Sequence, residues 1–420
     1  MSTEVILQEL AQAGVRLGLS RMRAFLDHLG GPDHRYPILH VGGTNGKGSA
    51  CRMLAAILGA QGQRVGLHTS PHLQVVNERI IVDGRPVGDV DLDGLVARLD
   101  AARALWAKQA LPADEPFPLT YFEFTVACAF QHFADRAVDS AVFEVGMGGR
   151  LDATNVCTPV STAIVSIGLD HCDELGRDHA AIAGEKGGII KSGVPVVVGP
   201  LPAAALQVIR TIAAERGAPI SVFGEDYEAF GAAGSFRYRG RRELGGLVLG
   251  LVGDHQVLNA AVALRTLEAS GIEVTEEALR EGLARARNPG RLEWLAPDLL
   301  VDGAHNPDGA NTLAAYLSRL PHDRKRTLLL GSGTDKDVRG VATALAPHVD
   351  RVYTTACDHP KARSPWSVAA ELEGLSVPVS PAGPLADALS ACRNGRDLVI
   401  VAGSLYLVGA VRSLLGAEVG

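Results

Sequence analysis

The chain reads as a two-domain α/β protein, and three features of its sequence predict this. A short apolar run of strand type, Pro37-Ile38-Leu39-His40-Val41, leads into the glycine-rich stretch 42–49 and then into residues 50–60, which are rich in Ala, Leu and Ile. Further β-rich runs alternate with Ala- and Leu-rich helical stretches, the rhythm of a mostly parallel sheet. Beyond the helix breakers Asn288-Pro289-Gly290-Arg291 a second rhythm of the same kind begins. The expected architecture is an N-terminal P-loop-type, mostly parallel sheet over residues 1–290 with a small antiparallel patch, then a smaller Rossmann-like α/β domain over 291–420.

Each element has a local reason. In Gly42-Gly43-Thr44-Asn45-Gly46-Lys47-Gly48-Ser49 the glycines let backbone N–H groups turn inward, the following helix N-terminus adds partial positive charge, and Lys47 can reach an outer phosphate. The stretch departs from G-x-x-x-x-G-K-[ST]: Val41 stands where the first glycine belongs, and the hydroxyl comes one residue late, at Ser49. The alternative is a turn that only packs a helix on a strand. Strands are then expected at 64–70, 140–145, 160–167 and 194–198, and polar residues at their carboxyl ends, Ser70, Glu144, Asp170 and His171, face the usual ligand side of such a sheet. The Pro- and acid-containing stretch 110–118 is the best candidate for a mobile loop. Gly, Arg and alternating apolar residues at 231–252 suggest the antiparallel patch, and a helix returns near His255. The second rhythm places strands at 299–301, 327–330, 351–355 and 398–401.

Composition narrows the function. The chain has 420 residues, 47% hydrophobic and 21% charged, enough for two buried cores and unlike a disordered protein. A net charge of −7 without a block of Lys and Arg argues against a nucleic-acid partner. The six cysteines are scattered without metal-ligand spacing and read as reduced thiols. Neither a leader pattern nor an apolar run of membrane-spanning length is visible, so a cytoplasmic, soluble protein with no membrane partner is expected, acting as a monomer on small molecules.

Four constellations carry chemistry. Glu144, at a strand end before Gly146-Met147-Gly148-Gly149, can hold Mg²⁺ against nucleotide phosphates or be a plain surface carboxylate. His171 can offer a neutral imidazole to a metal or be structural. The lysines of Glu185-Lys186-Gly187-Gly188-Ile189-Ile190-Lys191 read by default as a solvated helix end. Asp302-Gly303-Ala304-His305-Asn306-Pro307 follows a strand of the second domain, so Asp302 and His305 are expected to meet Thr44, Asn45 and Lys47 across a cleft.

Taken together these residues resemble the folylpolyglutamate synthase and dihydrofolate synthase enzymes, within the wider group of Mur-type amide-bond ligases. The resemblance spans nearly the whole chain. It is carried by 43–49, Thr69-Ser70-Pro71-His72-Leu73, Asn77-Glu78-Arg79-Ile80, 143–155, Glu185-Lys186, His255-Gln256 with Asn259, Pro289-Gly290-Arg291, 302–307 and Asp335-Lys336-Asp337. The late hydroxyl at Ser49 is that family's own form. The resemblance implies an ATP-dependent ligase that adds L-glutamate to dihydropteroate, to the γ-carboxylate of (tetrahydro)folate polyglutamates, or to both, through an acyl phosphate.

It also implies roles. Thr44, Asn45, Gly46, Lys47, Gly48 and Ser49 would bind the ATP phosphates, and Asn259, Arg291 and Asp302 other parts of the nucleotide. Ser70, Glu144 and His171 would bind Mg²⁺, with Ser49 helping a second ion. Lys186 would carry a carbamate, and Lys47, Lys186 and His305 would serve catalysis. Thr120, Tyr121, Phe122, Asp152, Ala153 and Thr154 would lie at the pterin, and His305 and Ser404 near the incoming amino acid. A Mur-type ligase acting on a cell-wall precursor is the nearest rival; it usually has a further domain before its phosphate loop, whereas residue 42 leaves room for a helix or two. A P-loop regulatory NTPase is the other, and it has no use for the 302–307 motif.

Overall fold

The computed structural model describes residues 2–110, 118–393 and 395–419 and divides into two units, Met1–Ser70 with Val76–Arg287, and Pro71–Val75 with Asn288–Gly420. Most of the stretch expected to be a mobile loop, residues 111–117, lies outside the described residues. The first unit runs α1 (Thr3–Ala11), α2 (Ser20–His28), β1 (Ile38–Gly42), α3 (Lys47–Ala60), β2 (Val65–His68), β3 (Ile80–Val82), β4 (Arg85–Pro86), α4 (Asp89–Ala110), α5 (Tyr121–Asp135) and β5 (Ser140–Glu144). It continues through β6 (Ser161–Ile164), α6 (Cys172–Leu175), α7 (His179–Gly187), β7 (Val196–Val198), α8 (Ala203–Glu215), β8 (Ile220–Val222), β9 (Glu228–Ala232), β10 (Ser235–Arg239), β11 (Glu243–Leu247), α9 (His255–Ser270) and α10 (Glu276–Arg285).

Among the described residues, eight strands form one sheet in the order β4-β3-β2-β5-β1-β6-β7-β8. From β2 to β8 the pairs are parallel, and β3 and β4 add an antiparallel edge. Strand β1 is buried along its whole length, as a central strand covered on both faces must be. Its neighbours are β5 and β6, and the chain leaves β1 through α3 for β2 on one side of the sheet. The loops after β1, β5 and β6 therefore diverge at the carboxyl edge, which opens a crevice there.

The expected strand 160–167 stops at Ile164, and residues 165–171 leave the sheet; the hydroxyl of Ser166 bonds the backbone of Asn45 instead of continuing a ladder. The antiparallel patch is the sheet β11-β10-β9, in which Phe236 and Tyr238 point inward and Arg237 and Arg239 outward.

The second unit contains β12 (Glu293–Ala296), β13 (Leu299–Val301), α11 (Pro307–Leu317), β14 (Arg326–Leu330), α12 (Val338–Leu345), β15 (Arg351–Ala356), α13 (Pro365–Glu371), β16 (Val379–Pro384), α14 (Leu385–Cys392), β17 (Leu398–Ala402) and α15 (Leu405–Leu414). Its six strands are ordered β12-β13-β17-β14-β15-β16, parallel except for β12. The edge strands β12 and β16 escape sequence patterning, and β16 carries Pro381 and Pro384, which an edge tolerates. The segment 71–75 belongs to this unit because Leu73 packs into its core with Leu407, Val408 and Val411.

Among the described residues no helix is long and apolar enough to cross a membrane, and all six cysteines are free thiols.

Helix α3, which starts the glycine loop's far side, is held by a close approach of α10. A Cβ added at Gly282 would lie 2.4 Å from Cα of Ile57 and 2.6 Å from its N. Gly282→Ala should push α10 off α3 and lower unfolding stability by about 1–3 kcal/mol, read as a reduced urea midpoint. An unchanged midpoint would contradict the close approach.

Candidate active site

Two glycines shape the loop after β1. Gly43 has φ +144° and Gly46 φ +84°, and at Gly46 a Cβ would stand 2.3 Å from Oδ1 of Asn259 on α9. The backbone thus turns back on itself directly into the N-terminus of α3. The loop is tied down from β6: Thr44 N donates to Ser166 O (2.9 Å), Asn45 N donates to Ser166 Oγ (2.9 Å), and Ser166 Oγ donates to Asn45 O (2.8 Å). Thr44 Oγ1 donates to Gly168 O at 3.1 Å and accepts from Gly168 N at 3.0 Å. Ser166 and Gly168 were not among the expected site residues; Ser166 fell inside the expected strand 160–167, and only Gly168, just past it, carried a positional signal.

Lys47 folds over this loop, with Nζ donating to Gly43 O and Thr44 O, both at 3.1 Å. Lys186, near the end of α7, donates to the same Gly43 carbonyl at 2.9 Å. The solvated helix end expected of Lys186 is therefore wrong: only 4% of the residue is exposed, because α7 packs its Ile182, Ala183 and Lys186 side inward. Burial first, and then the charge of Lys47, bring its pKa down to about 7. Lys191 is partly buried and donates to Asn155 O at 2.6 Å.

Glu144 ends β5 and is buried, accepting from Ser70 N at 3.2 Å. Ser49 is buried in the first turn of α3. His171 caps α6 from a left-handed conformation, φ +50°. Among the described residues no group of three or more His, Cys, Asp or Glu is placed to hold a metal ion. The expected set holds two such residues, Glu144 and His171. The oxygens of Glu144, Ser70 and Ser49 are hard donors that suit Mg²⁺, a cation that keeps several waters and takes few protein ligands.

Beside Glu144 the chain turns through Gly146, on which the ring of Phe122 lies so closely that a Cβ there would be 2.4 Å from Cζ. Thr120 caps α5 in a reciprocal capping box with Glu123, so its hydroxyl serves the helix. Tyr121 lies under the Arg79 guanidinium, 5.4 Å from ring centre to Cζ. Asp152 accepts from Met147 N (2.9 Å), Thr154 N (3.0 Å) and Thr154 Oγ1 (2.6 Å), and burial raises its pKa despite these donors; Ala153 is buried beside it. Asn259 Nδ2 donates to Gln256 Oε1 on the same helix, α9, at 2.8 Å.

In the second unit, Asp302 follows β13 and accepts from Leu292 N and Ala304 N, both at 2.8 Å. Leu292 is a rare non-glycine residue at φ +44°, and this bond holds it there, next to Arg291. Burial raises the Asp302 pKa, opposed by the Arg291 charge. His305 Nδ1 is 2.9 Å from Gly303 O, and Ser404 caps α15 by accepting from Leu407 N. Gly403 N donates to Ala304 O at 2.8 Å, which joins the His305 and Ser404 loops at the carboxyl ends of neighbouring strands.

Known proteins resemble this chain along nearly its whole length. A family model described as the Mur ligase, glutamate ligase domain matches residues 290–405. The dihydrofolate synthase/folylpolyglutamate synthase of Bacillus subtilis (strain 168) is 34% identical over 419 residues, 96% of this chain and 96% of that one. The structure of Mycobacterium tuberculosis folylpolyglutamate synthase complexed with ADP superposes with a TM-score of 0.92 at 34% identity, covering 99% of this chain and 100% of that one. The bifunctional folylpolyglutamate synthase/dihydrofolate synthase of Yersinia pestis CO92, complexed with AMPPNP and Mn ion, gives a TM-score of 0.87 at 34% identity, covering 98% and 97%.

The Lys186 environment makes a signed prediction. Its folded pKa of about 7 lies below the 10.5 of a free lysine, so between those values the unfolded chain binds the extra proton and stability rises with pH. In metal-free, CO₂-free buffer, Lys186→Met should gain most over the wild type below pH 7. That gain should shrink by a few kcal/mol as pH climbs to about 10, read from urea midpoints. A difference independent of pH would mean an ordinary lysine.

Proposed function

The chain belongs to the dihydrofolate synthase/folylpolyglutamate synthase family, and on that premise we propose how its residues divide the work of an ATP-dependent glutamate ligase. The observation that carries the reading is the convergence of Lys47, Lys186 and the α3 N-terminus on the Gly43 loop, a cradle built for a polyanion. Residues 1–290 act as the ATP-binding domain and 291–420 as the glutamate-ligase domain.

The chemistry follows from a weak electrophile. A carboxylate resists attack by an amine, so a carboxylate oxygen of the pteroate or folate first takes the γ-phosphoryl group of ATP and ADP leaves. The amino nitrogen of L-glutamate then attacks the acyl carbon, the carbon–oxygen bond breaks, phosphate departs with that oxygen and the nitrogen loses a proton. Thr44 to Ser49 hold the ATP phosphates, with the donors at the α3 N-terminus, since Thr44 N and Asn45 N already donate to Ser166, and Lys47 follows the transferred phosphoryl charge. Mg²⁺, when bound, would neutralise phosphate charge; Ser70, Glu144 and His171 would hold it, and Ser49 would support a second ion.

Lys186, with a pKa brought down to about 7, offers a neutral amine to CO₂ in a way a solvated lysine does not, and as a carbamate would present an anion toward the metal. Arg291 contacts the nucleotide. Asp302 holds the strained Leu292 that follows it, and Asn259 supports the loop at Gly46. Phe122, Tyr121, Thr120 and residues 152–154 form the pteroyl side. His305 and Ser404 place the incoming glutamate, and their adjacency at one sheet edge supports that pairing. Both dihydropteroate and reduced folates serve as acceptors, as the bifunctional relatives' names suggest. Six free thiols fit a reducing compartment, the cytoplasm.

The test supplies ATP, Mg²⁺ and L-glutamate with dihydropteroate in one tube and tetrahydrofolate in another. Amide product is expected in both, with ATP turnover dependent on glutamate and acceptor together. Lys47→Ala should lower the ligation rate by about 1,000-fold or more while the urea midpoint stays put. Near wild-type ligation by that variant would sink the role of Lys47, and turnover without glutamate or acceptor would favour a regulatory NTPase.

A further inference from the structure

His40 occupies the middle of β1 between Leu39 and Val41, fully buried, where a parallel strand ordinarily takes an aliphatic residue. Its Nε2 lies 2.8 Å from Thr154 Oγ1. That hydroxyl lies 2.6 Å from Asp152 Oδ1, and both Asp152 oxygens already face N–H donors, Thr154 N on one and Met147 N on the other. A carboxylate in that setting only accepts, so the single hydroxyl proton of Thr154 is committed to Asp152 and Thr154 Oγ1 must accept from His40. The ring therefore carries its proton on Nε2, and Nδ1 is a buried acceptor with no partner among the described residues.

Packing alone gives no reason for such a residue. An unpaired buried nitrogen is a cost that valine or leucine would not carry. What the histidine supplies is a directed chain, His40 to Thr154 to Asp152 to Met147, from the rigid centre of the sheet to both ends of the loop 147–154. That loop follows Glu144 and Gly146, the glycine under Phe122, and is fastened on its other side by Asn155 Nδ2 donating to Arg150 O (3.0 Å) and Gly188 O (3.2 Å).

We propose that His40 is a positioning residue for the pteroyl side of the site, acting through Thr154 and Asp152 to fix the 147–154 loop that follows Gly146 and its Phe122 contact. The inference rests on the reading that Phe122 and residues 152–154 receive the pteroyl group. It separates the two substrates: the chain touches the acceptor loop and leaves the Gly43–Lys47 loop to its own anchors on Ser166 and Gly168.

The experiment compares His40→Leu, His40→Gln, Thr154→Val, Thr154→Ser and the double variant His40→Leu/Thr154→Val by steady-state kinetics, with the acceptor and ATP varied in turn. His40→Leu and Thr154→Val should each raise KM for the pteroate or folate acceptor about 10-fold or more, with kcat and KM for ATP within about 3-fold of the wild type. Thr154→Ser, which keeps the hydroxyl, should restore the wild-type KM, and His40→Gln, which keeps a donor, should recover part of it. The double variant should be no worse than the poorer single. An unchanged acceptor KM in Thr154→Val, or an equal rise in KM for ATP, overturns the proposal, and His40→Gln, which alters no pteroyl-side residue, decides the matter if His40→Leu fails to fold, an acceptor KM at the wild-type value overturning it. ¹⁵N NMR of the ligand-free protein reads the His40 tautomer independently of catalysis. A proton on Nε2 is expected, and one on Nδ1 overturns the relay even if the enzyme ligates neither acceptor and the ligase reading itself has failed.

Discussion

One carbonyl oxygen, that of Gly43, accepts from two lysine ammonium groups, Lys47 at 3.1 Å and Lys186 at 2.9 Å. Two charges held that closely, within about 6 Å, repel by about 3 kcal/mol at an effective dielectric of 20, and Lys186 adds the desolvation of a residue only 4% exposed. The fold answers by letting Lys186 give up its proton readily, and by leaving the loop as a place where an anion relieves the strain of charge. The backbone that makes this possible is glycine at 43 and 46, whose φ of +144° and +84° a side chain would strain.

The remaining architecture serves that geometry. Parallel strands on either side of β1 bring Glu144 from β5 and Ser166 from just past β6 to the same edge of the sheet, one beside the candidate metal residues and one as the loop's anchor. Helix α10 clamps α3, whose first turn presents Lys47 and Ser49. Helix α7 delivers Lys186 from far along the chain, and Asn155 and Arg150 fasten the neighbouring loop to the same helix end. In the second unit the corresponding device is Asp302, a buried carboxylate that holds Leu292, the residue after Arg291, in a left-handed conformation.

What could be read beforehand was what depends on neighbours in sequence. Strand β1, the glycine loop and α3 are adjacent, so period and composition sufficed, and the second α/β rhythm was visible for the same reason. The burial of Lys186 was not, because it depends on which face of α7 packs inward, and a lysine between glycines looks like a helix end in water. Ser166 was hidden by the apolar run before it, which suggested a strand continuing to residue 167. The placement of residues 71–75 with the second unit has no local signal at all, since it turns on Leu73 finding Val408 and Val411. His40 sits within an apolar strand run, and nothing local in the sequence signals its ring's contact with Thr154. The role pattern of the site came from the resemblance of ordered motifs, whereas the physical reason for each residue came from contacts across more than a hundred positions.

The account turns on Lys186 being neutral enough to react with CO₂ and on its carbamate facing the metal when the site is loaded. Incubation with ¹³C-bicarbonate, Mg²⁺ and a non-hydrolysable ATP analogue, followed by ¹³C NMR, measures this directly. A carbamate carbonyl resonance is predicted in the wild type and absent from Lys186→Ala. A wild-type enzyme that ligates glutamate at full rate under the same bicarbonate yet shows no such resonance would contradict it.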